Sequence, residues 1–381
     1  MMSKRLMRVC LLTTVLVMIV AGLTSAATVI TYIRHGSAQD LAIEEQAAKL
    51  FMEKNPDIIV KPQVLPWDDY NTKVPIMVAG GTAPDVISAH PALLMQIWDA
   101  QALIPLDSYM DADGDLDWDD VLFQGDAIYD GRRVGLPMKS CAHAMRFNED
   151  FFREAGLETP AEMYWRGKET EWNWENFLKM GLKLTRDIDG DGNIDQYFYS
   201  GFNDNCNLLS TIRSFGGDVF DPETNKSLFD SPEVREALQM MADMALKHKI
   251  QPPPELTRQA TVMGITFKTG VIAVENFTTC DLQDLDRDLP FDYWDLIPLP
   301  AGPKGFRVWG DTDQMVISSS CKNPEAAYRW IKYRSSKEVW DELYARGVRM
   351  AITTNPPRLS IIQSSAFAEA IQPLDPSMMV D

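Results

Sequence analysis

The stretch from Tyr129 to Gly156, YDGRRVGLPMKSCAHAMRFNEDFFREAG, constrains this chain most, because it reads as a strand that leaves one lobe and starts another. Asp130-Gly131 signals a turn, Val134 to Pro137 is a short extended run, and Ala142 to Phe147 is a second. Asn148 is placed to cap a helix that carries Phe151, Phe152 and Ala155 on one side. That helix ends at Gly156, whose missing Cβ tolerates the left-handed conformation of helix ends. A strand that contains Pro and Gly and passes straight into a new helical layer is a natural hinge. A length of 381 residues agrees, being too long for one ordinary core and suited to two.

With 45% hydrophobic and 10% aromatic residues, the chain can bury substantial cores and is not a disordered one. A net charge of −19, with a pI near 4.6, opposes long-range attraction to nucleic acid or anionic lipid. Lys4, Arg5 and Arg8 form a positive n-region, Val9 to Val20 an apolar run, and Thr24-Ser25-Ala26-Ala27 a small-residue cleavage zone. Residues 1–27 therefore read as a cleaved signal peptide, which places the mature protein in the periplasm or outside the cell; an uncleaved anchor is the competing reading. The apolar run is short for a membrane span. After cleavage four cysteines remain, Cys141, Cys206, Cys280 and Cys321. Spacing alone leaves their three complete pairings open, and buried thiols stand beside them.

Along the chain, β-branched strands alternate with helical patterns. Val29 to Ile33 and Ile58 to Leu65 read as strands, as does the run up to Ile87. Ile43, Ala47, Leu50 and Phe51 mark a first helix that stops at Asn55-Pro56. Asp68 is placed to cap a second, which Pro75 should kink or shorten. Such alternation implies a parallel sheet covered on both faces. Asn173 and Ser231-Pro232 start further helices. Pro160 to Thr170 is a polar insertion without a clear pattern.

Several of these segments resemble the extracellular solute-binding proteins of carbohydrate ABC transporters, similar to the maltose-binding protein. The 129–156 stretch matches that family's first lobe crossing, Phe51 to Val60 its "F-x-x-x-N-P-x-I-x-V", and Ala79 to Val86 its "A-G-G-T-A-P-D-V". The resemblance covers nearly all of the mature chain. It implies an α/β, two-lobed periplasmic binding protein fold of type II, each lobe an open sheet, with three crossings. One lobe would take 28–138 plus 311–334 and the other 139–310 plus 335–381. The remaining crossings would lie at Leu296 to Gln314 and Gly347 to Pro356. The end at Asp381 looks early for the family, as if closing helices were missing.

A sugar site needs flat aromatic groups for C–H faces and planar polar groups for hydroxyls. Trp309 is the best stacking candidate, with Asp311 beside it as a hydroxyl acceptor; a structural hinge role is the alternative. Trp172 precedes a helix and can stack. Arg34, His35 and Gln39 follow the first strand and His90 follows Ile87, where open α/β sheets place ligands; an exposed histidine is otherwise only a surface group. Asn203, Asp204 and Asn276 sit where the family often places contacts.

Asp187, Asp189, Asp191, Gly192, Asn193 and Asp195 spell D-x-D-x-D-G-x-x-D, a pattern that wraps calcium, although Phe198 stands where the twelfth-position acid belongs. A metal-free Asp-Gly turn is the alternative. Asp111, Asp113, Asp115 and Asp117 repeat the spacing without the glycine and read as a solvated loop. No cofactor is required, and enzyme signatures are absent. The expected function is capture of a mono- or oligosaccharide between the lobes by a monomer that serves an ABC permease. The same fold with a phosphorylated polyol clamped by Arg34 and Arg146, or a secreted glycoside hydrolase, are the rival readings.

Overall fold

In a computed structural model of the protein, the alternating pattern becomes the strands and helices of an α/β fold. The structure describes residues 27–201, 205–221, 223–224, 226–253, 255–256, 266–279, 294–347 and 355–370. Residues 1–26, Asn203, Asp204, Cys280 and the residues after 370 lie outside the described residues. The sheet strands are β1 (Thr28–His35), β2 (Ile58–Leu65), β3 (Val86–Ala89), β4 (Leu103–Ile104), β5 (Gly135–Asn148), β6 (Tyr197–Ser200), β7 (Ile272–Thr278), β8 (Trp294–Ile297) and β9 (Gly310–Ser318). Among the described residues no helix is long and apolar enough to cross a membrane.

Two compact units share the chain. Unit 1 takes the described residues of Met1–Leu116 with Ala127–Leu136 and Gln314–Val339; unit 2 takes Asp117–Asp126 and the described residues of Pro137–Asp313 and Trp340–Asp381. The chain thus passes from one to the other five times, at Leu116, Asp126, Leu136, Asp313 and Val339, instead of the three expected. Both extra passages come from Asp117–Asp126. That segment is fastened within unit 2, where Val121 bridges Arg358, the Leu122 amide donates to Pro357 O at 3.1 Å and Asp120 accepts from the Ser360 hydroxyl at 2.7 Å. The last passage falls inside the helix Lys337–Ala345, ahead of the expected Gly347 to Pro356, of which 348–354 are not described.

In unit 1, β1 pairs parallel with β2 and with β3, and β9 pairs antiparallel with β3 and β4. Ile33, Ile87 and Val316 from the sheet pack with Tyr70, Val74, Leu93 and Ile97 from the helices Trp67–Ala79 and Pro91–Asp99. The helix with Pro75 runs unbroken from Trp67 to Ala79, and no side chain caps it, so Asp68 lies inside its first turn. Asp130 (φ 49°) and Gly131 (φ 72°) are both left-handed, which closes the hairpin of Ile128–Tyr129 with Arg132–Arg133.

In unit 2, β5 pairs antiparallel with β7 and β8, and β7 pairs parallel with β6. Phe147, Phe152, Trp172, Phe177, Phe198 and Tyr199 form its buried aromatic centre. Asn148, Asn173 and Ser231 cap the helices Glu149–Glu154, Trp174–Leu184 and Pro232–Leu246 as expected. The Pro160 to Thr170 insertion is helical after all. Thr159 and Glu162 cap one another's backbone in a capping box, and the helix Pro160–Gly167 follows.

Arg34 is one of the corrections. It is 3% exposed and donates to Glu44 Oε1 at 2.9 Å and Asp40 Oδ1 at 3.2 Å. Glu44, itself fully buried, also accepts from Arg334 Nε at 2.9 Å and Nη2 at 2.8 Å. Burial alone would raise the Glu44 carboxyl, but Arg334 and then Arg34 hold it below the usual carboxylate range. With the folded value below the unfolded one, its contribution is complete above the unfolded value and is lost as pH falls through the folded one. Glu44→Gln is expected to cost about 3–5 kcal/mol, because two buried guanidinium groups lose their counter-ion. Hydrogen exchange of the amides in Ala38–Lys54 would read this for unit 1; unchanged protection would refute it.

Candidate functional site

The carboxyl ends of β1, β2 and β3 lie together in unit 1, where open α/β sheets bind ligands. Strand β1 continues two residues past Ile33, where Arg34 is buried and His35 half-buried at the strand end. His35 stands edge-on to Trp67, with ring centroids 4.8 Å apart at 87°, and 5.6 Å from Tyr70. His90 also lies against Trp67, with ring centroids again 4.8 Å apart and tilted by 38°. It is also the N-cap of the helix Pro91–Asp99. Its Nδ1 accepts from the Leu93 amide at 3.4 Å, which leaves Nε2–H to donate to Asn71 Oδ1 at 2.7 Å.

Trp67 is the residue that sequence reasoning missed. Its indole is 51% exposed while two imidazoles fix its orientation. An aromatic group immediately after a strand's carboxyl end was the available signal. A rigid, half-open indole is a surface on which a sugar ring can stack. Gln39 is exposed in the first turn of the helix Ala38–Lys54 and makes none of these contacts.

Unit 2 carries a second aromatic and polar group. The Trp309 amide donates to Ser210 Oγ at 2.9 Å, and its carbonyl accepts from the His143 amide at 2.9 Å. Its indole Nε1 donates to Asp311 Oδ2 at 3.4 Å, and the Arg213 guanidinium lies 5.2 Å from the ring centroid. Burial, and then the charge of Asp313, push the Asp311 carboxyl above its ordinary range. Lys139 is engaged with Asp313 at 3.2 Å. Burial likewise raises Asp126, which accepts from the Thr312 amide at 3.0 Å and hydroxyl at 3.2 Å. Arg213, Ser210, His143 and Asp126 join this group only through the fold.

Other expected contacts move. Trp172 is fully buried and donates to Pro298 O at 2.7 Å, so it packs the core and offers no stacking face. Asn276 is not in a loop, because β7 runs on to Thr278; its Oδ1 accepts from the Tyr199 hydroxyl at 2.8 Å. The proposed anion clamp fails on both arginines. Arg34 is held by Glu44 and Asp40, and Arg146 donates to Glu275 Oε2 at 3.0 and 2.6 Å with Phe267 and Phe277 against its guanidinium. Also within unit 2, a cavity of about 330 Å³ is walled mainly by Leu122, Phe123, Tyr164, Phe306, Val308 and Ile362. Its lining suits apolar atoms better than hydroxyls.

Among the calcium candidates, oxygens of Asp187, Asp189 and Asp195 lie within 4.8 Å of one another. Asp191 and Asn193 turn aside and bond each other at 3.0 Å. Backbone amides serve the three carboxylates, Gly190 and Gly192 donating to Asp187 at 2.7 and 2.8 Å and Ile188 to Asp195 at 2.6 Å. In the other acidic repeat, Asp113 is tied to Lys332 at 2.6 Å and accepts from Tyr328 at 3.0 Å, a structural role rather than a merely solvated one. Cys141 is disulfide-bonded, whereas Cys206 and Cys321 stay outside any disulfide.

Known proteins share this architecture. An ABC substrate-binding protein from Listeria monocytogenes in complex with cycloalternan superposes with a TM-score of 0.76, at 23% identity over 92% of this chain and 85% of that one. The sugar-binding protein MalE from Xanthomonas citri gives 0.73, at 20% identity over 91% and 86%. The GacH receptor of Streptomyces glaucescens, solved unliganded and with acarbose, gives 0.72, at 20% identity over 93% and 85%. A Brucella abortus (strain 2308) protein named for binding is 23% identical over 305 residues, 77% of this chain and 68% of its own. The profile of the bacterial extracellular solute-binding proteins matches residues 35–339, most of the chain, so the protein belongs to that family.

Proposed function

We propose that the protein binds a mono- or oligosaccharide outside the cytoplasm and hands it to the permease of an ABC importer, without chemistry on the sugar. The observation that carries this reading is Trp67, an exposed residue whose indole contacts both His35 and His90 at the carboxyl ends of parallel strands in a solute-binding family. Trp309, with Asp311 and Arg213 beside it, supports it from unit 2. Related proteins solved with cycloalternan and acarbose supply the chemical class. The pattern of residues 1–27 supports export through a cleaved signal, and we infer a monomer, which light scattering of the mature protein checks.

A saccharide panel scanned by thermal shift is expected to yield a stabilising sugar, since binding to the native state raises its stability by mass action. Calorimetry with that sugar should show Trp67→Ala and Trp309→Ala each weakening affinity about tenfold or more, or about 1.4 kcal/mol. Affinity unmoved by both substitutions would sink the site. Oligosaccharide left intact after long incubation is the expected result, and released product would favour the glycoside hydrolase.

We also propose a calcium ion on Asp187, Asp189 and Asp195, supported by the convergence of their carboxylates in a D-x-D-x-D-G loop. Calcium is expected to raise the melting temperature, with Asp187→Asn abolishing the rise. The same melting curve in calcium and in chelator would disprove it.

A further inference from the structure

We propose that unit 2 holds a divalent transition-metal ion of the zinc type on His143, Cys206 and Asp311. One ligand atom from each of the three lies within 4.8 Å of the other two, and all three residues are half-buried. They come from β5, from the first turn of the helix Asn205–Ser214 and from β9, so only the fold brings them together.

The donor set decides the kind of ion. An imidazole nitrogen, a thiolate sulfur and a carboxylate oxygen are a mixed set that zinc accepts, whereas calcium and magnesium select oxygen alone. Bonds of about 2.0–2.3 Å around a tetrahedral centre place donors roughly 3.5 Å apart. The present donor separations, none above 4.8 Å, exceed that spacing by little more than an ångström at most. Three protein donors leave a fourth position for water or a ligand hydroxyl, the open arrangement of reactive zinc sites rather than the closed one of structural sites.

The surroundings fit a bound cation. Cys206 is outside any disulfide. Asp311 lies where negative charge accumulates, next to Asp313, whose partner Lys139 is 3.2 Å away. The Trp309 indole donates to Asp311 at 3.4 Å, and the His143 amide donates to Trp309 O at 2.9 Å. The first of these bonds orients the Asp311 carboxylate from behind, as supporting contacts do at metal sites, and the second ties the His143 backbone to Trp309.

The site does not depend on the carbohydrate reading, because metal binding is measured with no sugar present. Untagged, chelator-treated mature protein is titrated with zinc in a calorimeter and with cobalt(II) in a spectrophotometer. Stoichiometric zinc binding and a thiolate-to-cobalt charge-transfer band in the near ultraviolet are expected. Cys206→Ser should remove the band and Cys321→Ser should leave it. His143→Ala and Asp311→Asn should each weaken zinc binding at least about tenfold. Metal-free melting curves of the variants should match the parent, which separates ligand loss from misfolding. Absence of stoichiometric binding, or a charge-transfer band that survives Cys206→Ser, would overturn the proposal.

Discussion

One carboxylate holds unit 1 together. Glu44, fully buried, accepts from Arg34 and Arg334, joining the first strand, the first helix and a helix 290 residues later in the chain. Two buried guanidinium groups on a single carboxylate leave an excess positive charge, which Asp40 offsets through Arg34. Asp40 has a second task, since it closes the capping box with Ser37 at the start of the same helix. Removing any member would strand a buried charge, so the cluster is costly to break even where its net contribution over an apolar core is small. The site inherits this rigidity. Arg34 Nε also donates to the His35 carbonyl at 3.0 Å, which fixes the backbone of the imidazole that braces Trp67.

What the residues disclosed unaided was local. The Asp130-Gly131 turn, the caps at Asn148, Asn173 and Ser231, and the alternation of strands with helices depend on nearest neighbours. Two failures were local too. Thr159-Pro-Ala-Glu162 is a capping box that a polar-looking segment concealed, and the choice of Asp68 as a cap hid Trp67 one residue before it. The remaining errors were not local. Arg34 is buried because Glu44 and Asp40 of the following helix receive its guanidinium, and both faces of β1 are buried at Tyr32, Ile33 and Arg34, so strand alternation does not reveal it. Trp172 is buried because a carbonyl at Pro298 receives its indole N–H, a partner 126 residues distant. No spacing rule reaches that far.

The electrostatics of unit 2 bear on what it can accept. Asp126 and Asp311 are both pushed above the ordinary carboxylate range, chiefly by burial, and Asp313 adds its charge beside Asp311. Carboxylates in that condition are short of hydrogen-bond donors or positive charge. Hydroxyl groups that donate to them, or a cation that neutralises them, would relieve a cost the folded protein already carries. A phosphate ester would add negative charge to the same place. Arg213 lies against the Trp309 ring, with Asp218 taking its Nε at 3.1 Å, so that guanidinium is already matched by a carboxylate. Arg146, the other cation once considered for an anion, is matched by Glu275. At these carboxylates a neutral polyhydroxy compound or a cation is therefore better matched than a phosphorylated guest.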